Sequence, residues 1–386
     1  MKNALILINS SFPYGTAISS RVLNFARLLH FIGYSVHVIS EYRANQEDIP
    51  GQIYNFENIT YQIIVGRKSK SLDSFVGYPD FIRETNHYLE KNPVDFVYMT
   101  SLTEMYTRIY HVLNKHKVKF FVDQCEWMNV STYKFGYLDP RFLQVCFLRS
   151  RGFLKPSGII SISTLLDEYY KNKGIKSIRI PTILDVAHIN CLLDKRNDNV
   201  MHISFIGSLG GKKELLQPVI QALRKNNYFH NRIVFDIYGP TLSQIEKNAE
   251  VTASELDNES FCVKVHGHIP QEKVFDCYRK SSFLIFIRPA RKSSNAGFPT
   301  KLAESMSCGT PVITNNTGDV ALYLKDGMNG FLLKDNTSES ISECFNRILK
   351  LNEQDYSNLR FNARKTAENS FDYRNYSKVI MDFFEQ

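Results

Sequence analysis

The sequence predicts an α/β protein made of two doubly wound parallel sheets. Short apolar strands alternate with amphipathic helices along the whole chain, which is the pattern of parallel sheets covered by crossover helices. The alternation restarts after a polar break near residues 180–198, and 386 residues exceed one average domain. We therefore expect domains at 1–183 and 184–370 with a cleft between them, and a C-terminal helix at 371–386 that crosses back to the first domain.

Each predicted element has a local signal. Apolar residues recur at helical spacing over Ile18–Ile32, and Gly33 is placed to end that helix. In the second half, helices are expected at Leu215–Lys225 and Gln271–Lys280. The strands expected in the first half are Ala4–Ile8, Tyr34–Ser40, Ile59–Val65, Phe96–Met99, Lys119–Val122 and Gly158–Ser161. Those expected in the second half are Met201–Phe205, Ile233–Tyr238, Val263–His266, Phe283–Ile287, Pro311–Thr314 and Gly330–Leu333.

Composition restricts the partners and the compartment. The formal net charge of +8 favours an anionic ligand or an anionic membrane surface, and no long lysine and arginine stripe supports nucleic-acid binding. The seven cysteines stand singly, without zinc or disulfide spacing, which is typical of a reducing compartment. No apolar run approaches the roughly 20 residues of a membrane span. We expect a cytoplasmic protein whose only membrane contact is peripheral, on the inner face of the cell membrane.

The stretch NAGFPTKLAESMSCGTPVITNN, residues 295–316, predicts an anion site at the start of a helix. Gly297 and Pro299 favour a turn, and proline suits the first position of a helix. The amides that follow lie at the positive end of the helix dipole, where Lys301 adds a full charge. One turn later, Glu304 is placed to accept both hydroxyls of a ribose. The alternative is an ordinary capped helix in which Lys301 and Glu304 are solvated or paired with each other.

Two other loops have the same character. FIGSLGGKKE, residues 205–214, runs from a strand through glycines to Lys212 and Lys213 at a helix start, without the Ser or Thr that a Walker A loop needs after its lysine. A glycine turn with two exposed lysines is the alternative. SSFPYGTAISSR places Gly15 and Thr16 between a strand end and a helix start, the edge where open sheets bind ligands. No Gly-x-Gly-x-x-Gly follows the first strand, which weighs against a dinucleotide oxidoreductase.

Five segments, in this order, resemble the GT-B retaining glycosyltransferases of family 4: FPYGTAISSRVLNFARLLHFIGYSVHVI, FIGSLGGKKELLQPVIQAL, DIYG, VKVHGHIP and FPTKLAESMSCGTPVIT. The GFPTK turn is similar to a variant seen in surface-polysaccharide transferases of this fold. The resemblance implies two Rossmann-like domains, with a nucleoside diphosphate sugar bound mainly by the second and a glycan or lipid-linked acceptor held by the first. It also implies retention at the anomeric carbon without a cofactor or an obligatory metal.

Carried over position by position, the resemblance assigns roles to residues of this chain. Glu304 matches the ribose-binding second acid of the family's Glu-x7-Glu motif, and Lys213 matches its diphosphate-binding lysine. Two positions depart from the pattern. Ala296 stands where the first acid would lie, eight positions before Glu304, and Ser208 stands where an arginine is usual. The first departure puts the usual contact to the hydroxyls of the donor sugar in doubt.

The loop before the helix offers Arg288 or Arg291 as a replacement for the missing arginine. Asp123 and Glu126, in VDQCEWMN after a strand end, are candidates to orient the acceptor hydroxyl and take its proton, although a capping aspartate and a surface glutamate would fit equally well. The predicted catalytic residues are Lys213, Lys301, Glu304, Asp123 and Glu126. The predicted donor-binding residues are Gly15, Thr16, Gly207, Ser208, Lys212, Gly239, Gly267, Ile269, Arg288, Arg291, Asn295, Gly297, Phe298, Pro299, Thr300 and Leu302.

Several alternatives stay open. Ala296 supports a catalytically silent GT-B partner subunit or chaperone that binds the nucleotide sugar without turning it over. A GT-B sugar epimerase and a GT-B enzyme that modifies nucleic-acid bases are less well supported. The segment Thr132–Gly158 mixes arginines and a lysine with phenylalanines, which suits an anionic membrane surface. A core helix with solvated arginines would have the same composition.

Overall fold

The computed structural model describes residues 2–42, 48–64, 78–100, 105–130, 133, 135–150, 154–191, 200–210, 213–256 and 262–385. The chain forms two compact units. The first contains Met1–Leu184 together with Tyr373–Gln386, and the second contains Asp185–Asp372. These divisions fall one and two residues later than the boundaries expected from the sequence.

The described part of the first unit contains an eight-stranded sheet in the order β3-β4-β2-β1-β5-β6-β7-β8. Neighbouring strands are parallel except for the β3–β4 hairpin. Its strands are β1 Lys2–Ser11, β2 Tyr34–Tyr42, β3 Ile53–Phe56, β4 Ile59–Ile63, β5 Phe96–Thr100, β6 Lys119–Gln124, β7 Gly158–Ser161 and β8 Ser177–Arg179. Its helices are α1 Ala17–Phe31, α2 Pro79–Lys91, α3 Tyr106–Lys115, α4 Pro140–Ser150 and α5 Thr164–Lys171.

The second unit has a six-stranded sheet, among the residues described, in the order β11-β10-β9-β12-β13-β14, and all its strand pairs are parallel. This is the strand order of a Rossmann fold. Its strands are β9 Met201–Ile206, β10 Ile233–Tyr238, β11 Val263–Gly267, β12 Phe283–Phe286, β13 Val312–Asn315 and β14 Gly330–Leu333. Its helices are α6 Gln217–Arg224, α7 Leu242–Ala249, α8 Ala253–Leu256, α9 Val274–Lys280, α10 Lys292–Ala296, α11 Thr300–Ser307, α12 Val320–Tyr323, α13 Ser338–Ile348 and α14 Glu353–Ser370.

The prediction of two Rossmann-like parallel sheets is confirmed. The central strands read as continuous apolar runs because helices cover both faces of a parallel sheet, and Leu5 to Ile8 of β1 are fully buried. The short hairpin strand β3 was missed. It precedes a two-residue turn in which Glu57 and Asn58 both take positive φ.

The C-terminal segment belongs to the first unit. Its last helix, α15 Ser377–Glu385, follows a short 3-10 turn at Tyr373–Tyr376. The ring of Phe384 lies 4.4 Å from the rings of both Phe96 and Phe121, so the helix completes the core beside β5 and β6.

Candidate donor site

The carboxyl edge of the second sheet is where its chain topology favours ligand binding. The strand order reverses between β9 and β12, and open α/β sheets bind ligands outside the carboxyl ends of the strands at such a point. The described loop residues that follow these two strands are 207–210 and 213–216 after β9, and 287–291 after β12. Lys301 of α11 contacts aromatic rings on both strands, so its ammonium group lies at this edge of the sheet.

A glycine follows each of the strands β9 and β10 at this edge. Gly207 follows β9, and its amide donates a hydrogen bond to the carbonyl of Tyr238 at 3.0 Å. Gly239 follows β10 with φ +111, and its amide donates to the carbonyl of Gly267 at 2.7 Å. A Cβ on Gly239 would lie 2.5 Å from the carbonyl oxygen of Gly207, closer than any side chain tolerates. The close approach of the two strand ends therefore requires glycine at position 239.

Lys301 occupies the centre of the site. It is the second residue of α11, and its ammonium nitrogen lies 4.2 Å from the ring centroid of Phe205 and 5.7 Å from that of Phe286. The same nitrogen lies 3.5 Å from a carboxylate oxygen of Glu214. It is shielded from solvent and makes no hydrogen bond of normal geometry to a described residue. A buried ammonium with one distant carboxylate retains donors for an anion.

Arg288 shares that carboxylate. Its Nε lies 3.8 Å from the Glu214 oxygen that faces Lys301, and its Nη1 donates to the carbonyl of Ser294 at 3.2 Å. The Arg288 backbone is held by Asn315, whose carboxamide accepts from the Arg288 amide and donates to its carbonyl. The Lys301 and Arg288 nitrogens therefore both lie farther from the Glu214 carboxylate than in a tight ion pair. Two positive charges with one negative charge between them favour the binding of an anionic group.

Glu214 and Asn315 are the residues of this cluster that the sequence did not single out. Glu214 is buried beside the two cations, whereas its neighbour Lys213 is exposed. The expectation that Lys212 and Lys213 stand at a helix start is wrong for Lys213, since α6 begins at Gln217, four residues later. Lys212 lies outside the described residues.

Glu304 lies on α11 one turn beyond Thr300. Its carboxylate accepts a hydrogen bond from the hydroxyl of Tyr278 at 2.8 Å, a contact from α9 that the sequence did not indicate. Burial raises the pKa of Glu304, while the Tyr278 hydrogen bond and the charge of Lys301 act in the opposite direction. Burial lowers the pKa of Lys301; the Glu214 carboxylate opposes this and Arg288 adds to it.

The turn before α11 differs in detail from the prediction. Pro299 is the N-cap residue rather than the first helical residue, and Gly297 has φ −89, which any residue can adopt. The amide of Leu302 donates to the carbonyl of Pro299 at 2.9 Å, so it is not free to bind a donor. The side chain of Phe298 packs among aromatic rings of the second unit and is a core residue. Thr300 remains at the start of the helix and is half-buried.

The other predicted donor residues surround the cluster less closely. Asn295 accepts a hydrogen bond from the amide of Gly318 at 3.0 Å, so it supports the loop. Ala296 is fully buried. The remaining positions lie along the same edge and are exposed or half-buried: Ser208, Gly267, Ile269 and Arg291.

The aspartate of the DIYG segment has a structural role. Asp236 lies on β10 and is bridged by His202 Nδ1 at 2.6 Å and His266 Nε2 at 2.7 Å. Burial works to raise the pKa of Asp236, but hydrogen bonds from the two histidines lower it overall. His266 also stacks on Tyr238 with a centroid separation of 4.1 Å. The network ties β9, β10 and β11 together just below the glycine edge.

In the first unit, Gly15 and Thr16 stand at the carboxyl edge of β1 as expected. Gly15 has φ +124, and a Cβ there would collide with the hydroxyl of Ser11. Thr16 is the N-cap of α1 and forms a capping box with Ser19, in which each hydroxyl accepts from the other residue's amide. The Thr16 hydroxyl also contacts that of Ser10 at 2.8 Å.

The structure contradicts the prediction that Asp123 orients the acceptor. Asp123 is buried, and its carboxylate accepts two hydrogen bonds from the guanidinium of Arg21, at 2.7 and 2.8 Å, and one from the hydroxyl of Tyr98 at 2.6 Å. These partners come from distant parts of the chain, which is why the sequence did not reveal them. Asp123 is a structural ion-pair residue. Glu126, two residues beyond β6, is exposed at the same sheet edge.

Within the described ranges, no group of three or more histidine, cysteine or acidic residues is close enough to hold a metal ion. Among the same residues, no helix combines the length and apolar character needed to cross a membrane.

Two Rossmann-like units of this kind define the GT-B class of glycosyltransferase folds. The chain superposes over 100% of its length on sucrose-phosphate synthase from Thermosynechococcus elongatus, covering 99% of that chain with a TM-score of 0.77 at 12% identity. It is also similar to HepE of Anabaena in complex with UDP and glucose, with a TM-score of 0.72, 13% identity and 100% of each chain covered.

Residues 195–366 match the family model described as Glycosyl transferases group 1. A D-inositol 3-phosphate glycosyltransferase of Streptomyces griseus is 26% identical over 34% of this chain and 28% of its own length. An uncharacterized glycosyltransferase of Methanocaldococcus jannaschii is 23% identical over 61% of this chain and 59% of its own length. The chain thus spans less than two thirds of both relatives.

Proposed function

We propose that this protein transfers a sugar from a nucleoside diphosphate sugar to an acceptor hydroxyl, with retention at the anomeric carbon and without a bound metal. The observation that carries the proposal is the buried cluster of Lys301, Arg288 and Glu214 at the carboxyl edge of the second sheet. HepE, which has the same fold, was crystallised with UDP, and this supports a uridine nucleotide as the first donor to test.

The cluster suits the leaving diphosphate. Lys301 and Arg288 supply positive charge in a site shielded from water, where such charge stabilises a developing anion more strongly than it would in solvent. The amides at the start of α11 add the positive end of a helix dipole. Glu214 keeps the two cations in place before the nucleotide arrives. Glu304, two helical positions beyond Leu302, is the acceptor for the ribose hydroxyls.

In a single displacement, retention requires attack on the face from which the leaving group departs. The bond between the anomeric carbon and the diphosphate oxygen breaks, and the acceptor oxygen bonds to that carbon on the same side. The acceptor proton passes to the departing phosphate oxygen, so no enzymic base is required. In the first unit, exposed Glu126 replaces Asp123 as the residue that orients the acceptor hydroxyl. A glycan or lipid-linked acceptor in cell-surface polysaccharide or glycolipid synthesis fits this role.

A panel of nucleotides tests the proposal. The thermal unfolding of the full chain is measured with UDP, GDP, ADP and CMP in the presence of a chelator. A ligand at 100 times its dissociation constant stabilises by about 2.7 kcal/mol. We expect one nucleoside diphosphate to raise the midpoint and its sugar conjugate to be turned over, with acceptor or by slow hydrolysis. Failure of every nucleotide to shift the midpoint would refute the donor site.

Ala296 is the observation that favours a second candidate, a catalytically silent nucleotide-sugar-binding subunit. The position where the family's first acid would lie is occupied by a fully buried alanine. A clear nucleotide shift combined with no turnover of any donor would support this candidate over the transferase.

A further inference from the structure

The first unit carries an exposed apolar ridge, formed by Phe135, Tyr137, Leu138, Leu143 and Phe147. These five side chains are between 47% and 83% exposed, although they fall within 13 consecutive residues. Single exposed apolar residues are common on protein surfaces, but a contiguous group of large ones marks an interaction site.

Helix geometry explains why the ridge is uncovered. Helix α4 packs Val145 and Leu148 into the unit, so the opposite side of the helix faces outward. Leu143 and Phe147 lie four residues apart on that outer side. A water-facing helix side is normally polar, whereas this one is apolar along most of its length. Phe135, Tyr137 and Leu138 extend the same surface before the helix begins.

A lysine pocket adjoins the end of the ridge. Ser150 is three residues beyond Phe147 on the outer side of α4, and it lines a cavity of about 540 Å³ together with Lys155, Lys173 and Lys176. The ammonium groups of Lys173 and Lys176 are positioned by hydrogen bonds to the backbone carbonyls of Arg149, at 2.9 Å, and Phe383, at 2.6 Å. Burial and the nearby charge of Lys119 lower the pKa of Lys176, the response of a cation that an anion would stabilise.

We propose that this surface docks on an anionic phospholipid bilayer, with the apolar ridge in the interface and the lysine pocket against lipid phosphate groups. The proposal goes beyond the donor chemistry and does not depend on it. Apolar side chains beside basic ones, on a helix about 16 Å long, are the composition of an interfacial membrane anchor.

Charge favours a bilayer over other occupants. Helix α4 and the pocket contain five basic side chains and no acid, and the one acid within residues 135–150 is Asp139. That acid is paired with Arg141 at 2.9 Å, so the surface presents uncompensated positive charge. Each basic side chain near an anionic leaflet strengthens its attraction, within a Debye length of roughly 10 Å. A free phosphate ion could bind the lysine pocket but would leave the apolar ridge exposed to water.

Vesicle sedimentation with the full chain tests this. The protein is mixed, without donor or acceptor, with vesicles of phosphatidylcholine alone or mixed with phosphatidylglycerol. We expect binding to the anionic vesicles that weakens with added salt, and about tenfold less binding for Leu143→Ser/Phe147→Ser and for Lys155→Glu/Lys173→Glu. Phe361→Ser, which removes a 62% exposed aromatic from the second unit, and Lys350→Glu, which reverses an exposed lysine there, should bind like wild type.

Unchanged binding by both double variants, or equal wild-type binding to the two vesicle types, would overturn the proposal. Loss of self-association in Leu143→Ser/Phe147→Ser with no change in vesicle binding would assign the ridge to contacts between copies and would also overturn it. Circular dichroism and thermal midpoints confirm that each variant is folded. Because no nucleotide is present, the result is independent of whether the donor site is correct.

Discussion

The ammonium nitrogen of Lys301 lies 3.5 Å from a carboxylate oxygen of Glu214, and that oxygen lies 3.8 Å from the Nε of Arg288. A tight charge-assisted hydrogen bond would be about 2.7–2.9 Å long. The one carboxylate therefore lies between two cations, and the Lys301 ammonium group makes no hydrogen bond of normal geometry to a described residue. One negative charge faces two positive charges at this sheet edge, so the cluster carries a net positive charge that a bound anion would neutralise.

Replacing Lys301 by methionine should abolish most catalysis without unfolding the protein. Methionine keeps the apolar contacts with Phe205 and Phe286. Loss of one donor to the leaving group lowers kcat by about 10²–10³-fold. Steady-state kinetics with the donor identified by the nucleotide panel measure the effect, and the exposed Lys334→Met is the control. A rate near that of wild type would remove Lys301 from the reaction.

Glu214→Gln should destabilise the free protein and make its stability depend on anions. The change leaves Lys301 and Arg288 facing each other in a buried site, at a cost of about 3–5 kcal/mol. A bound nucleoside diphosphate or pyrophosphate would then supply the missing negative charge. We expect the difference in thermal midpoint from wild type to narrow when either ligand is added. A difference that stays constant with ligand would show that the anion binds elsewhere.

The affinity for nucleotide should rise with pH through the titration of Glu304. Burial raises the pKa of this carboxyl above 4.5, and only the ionised form accepts hydrogen bonds from both ribose hydroxyls. Tyr278→Phe removes a hydrogen bond that favours the ionised form, so the midpoint of the affinity curve should move to higher pH. Glu304→Gln should weaken binding and flatten the curve. Calorimetric titrations across the acidic range measure these changes.

Two controls accompany that titration. Tyr356→Phe removes a hydroxyl that donates to the carbonyl of Ser282, away from Glu304, and should leave the midpoint in place. The raised pKa of Glu304 also makes the stability of the protein depend on pH. The native state holds the Glu304 proton more tightly than the unfolded chain, so this group lowers the free energy of unfolding as the pH rises from about 4.5 through the raised pKa.

Asp123→Asn should destabilise the first unit, whereas Glu126→Gln should not. Removing the charge of Asp123 leaves the buried guanidinium of Arg21 without its bidentate partner, which costs about 3–5 kcal/mol. Glu126 is exposed, so its replacement should change the free energy of unfolding by no more than about 0.5 kcal/mol. Denaturant unfolding measures both. If Glu126 orients the acceptor, its variant instead lowers kcat/KM for the acceptor.

Gly239→Ala should damage the donor edge more than a comparable glycine change elsewhere. The new methyl group would lie 2.5 Å from the carbonyl oxygen of Gly207, so the two strand ends must separate. Gly33→Ala is the matched control, because φ is +94 there and no atom lies within 4 Å of the added Cβ. We expect both variants to lose stability from backbone strain, but only Gly239→Ala to lose nucleotide affinity. Equal nucleotide affinity in the two variants would contradict the assignment.

Much of the fold followed from local pattern. The apolar runs predicted β7 and β10 with their observed bounds, and the Phe-Pro-Thr-Lys turn predicted a helix start at Pro299, one residue before the observed start of α11 at Thr300. These signals are local because strand burial and helix capping depend on neighbouring residues. The start of α6 was placed too early, since apolar spacing continues into the loop that precedes Gln217.

The candidate site was less accessible to such reasoning. The sequence indicated Lys301 and Glu304, which lie on one short helix. It did not indicate Tyr278, which is 26 residues away and reaches Glu304 only because α9 and α11 pack side by side. It assigned Asp123 to the acceptor because Arg21, 102 residues earlier, gives no local sign of the ion pair.

Local sequence patterns were enough to predict the two parallel sheets, the glycines at their carboxyl edges and the helix that carries Lys301. The contacts among buried polar groups became visible only in the folded chain: Glu214 with Lys301 and Arg288, Tyr278 with Glu304, and Arg21 with Asp123. The physical reason is that secondary structure is encoded by periodicity over a few residues. The pairing of buried charges depends instead on how distant segments cross and on which side chains the crossing excludes from water.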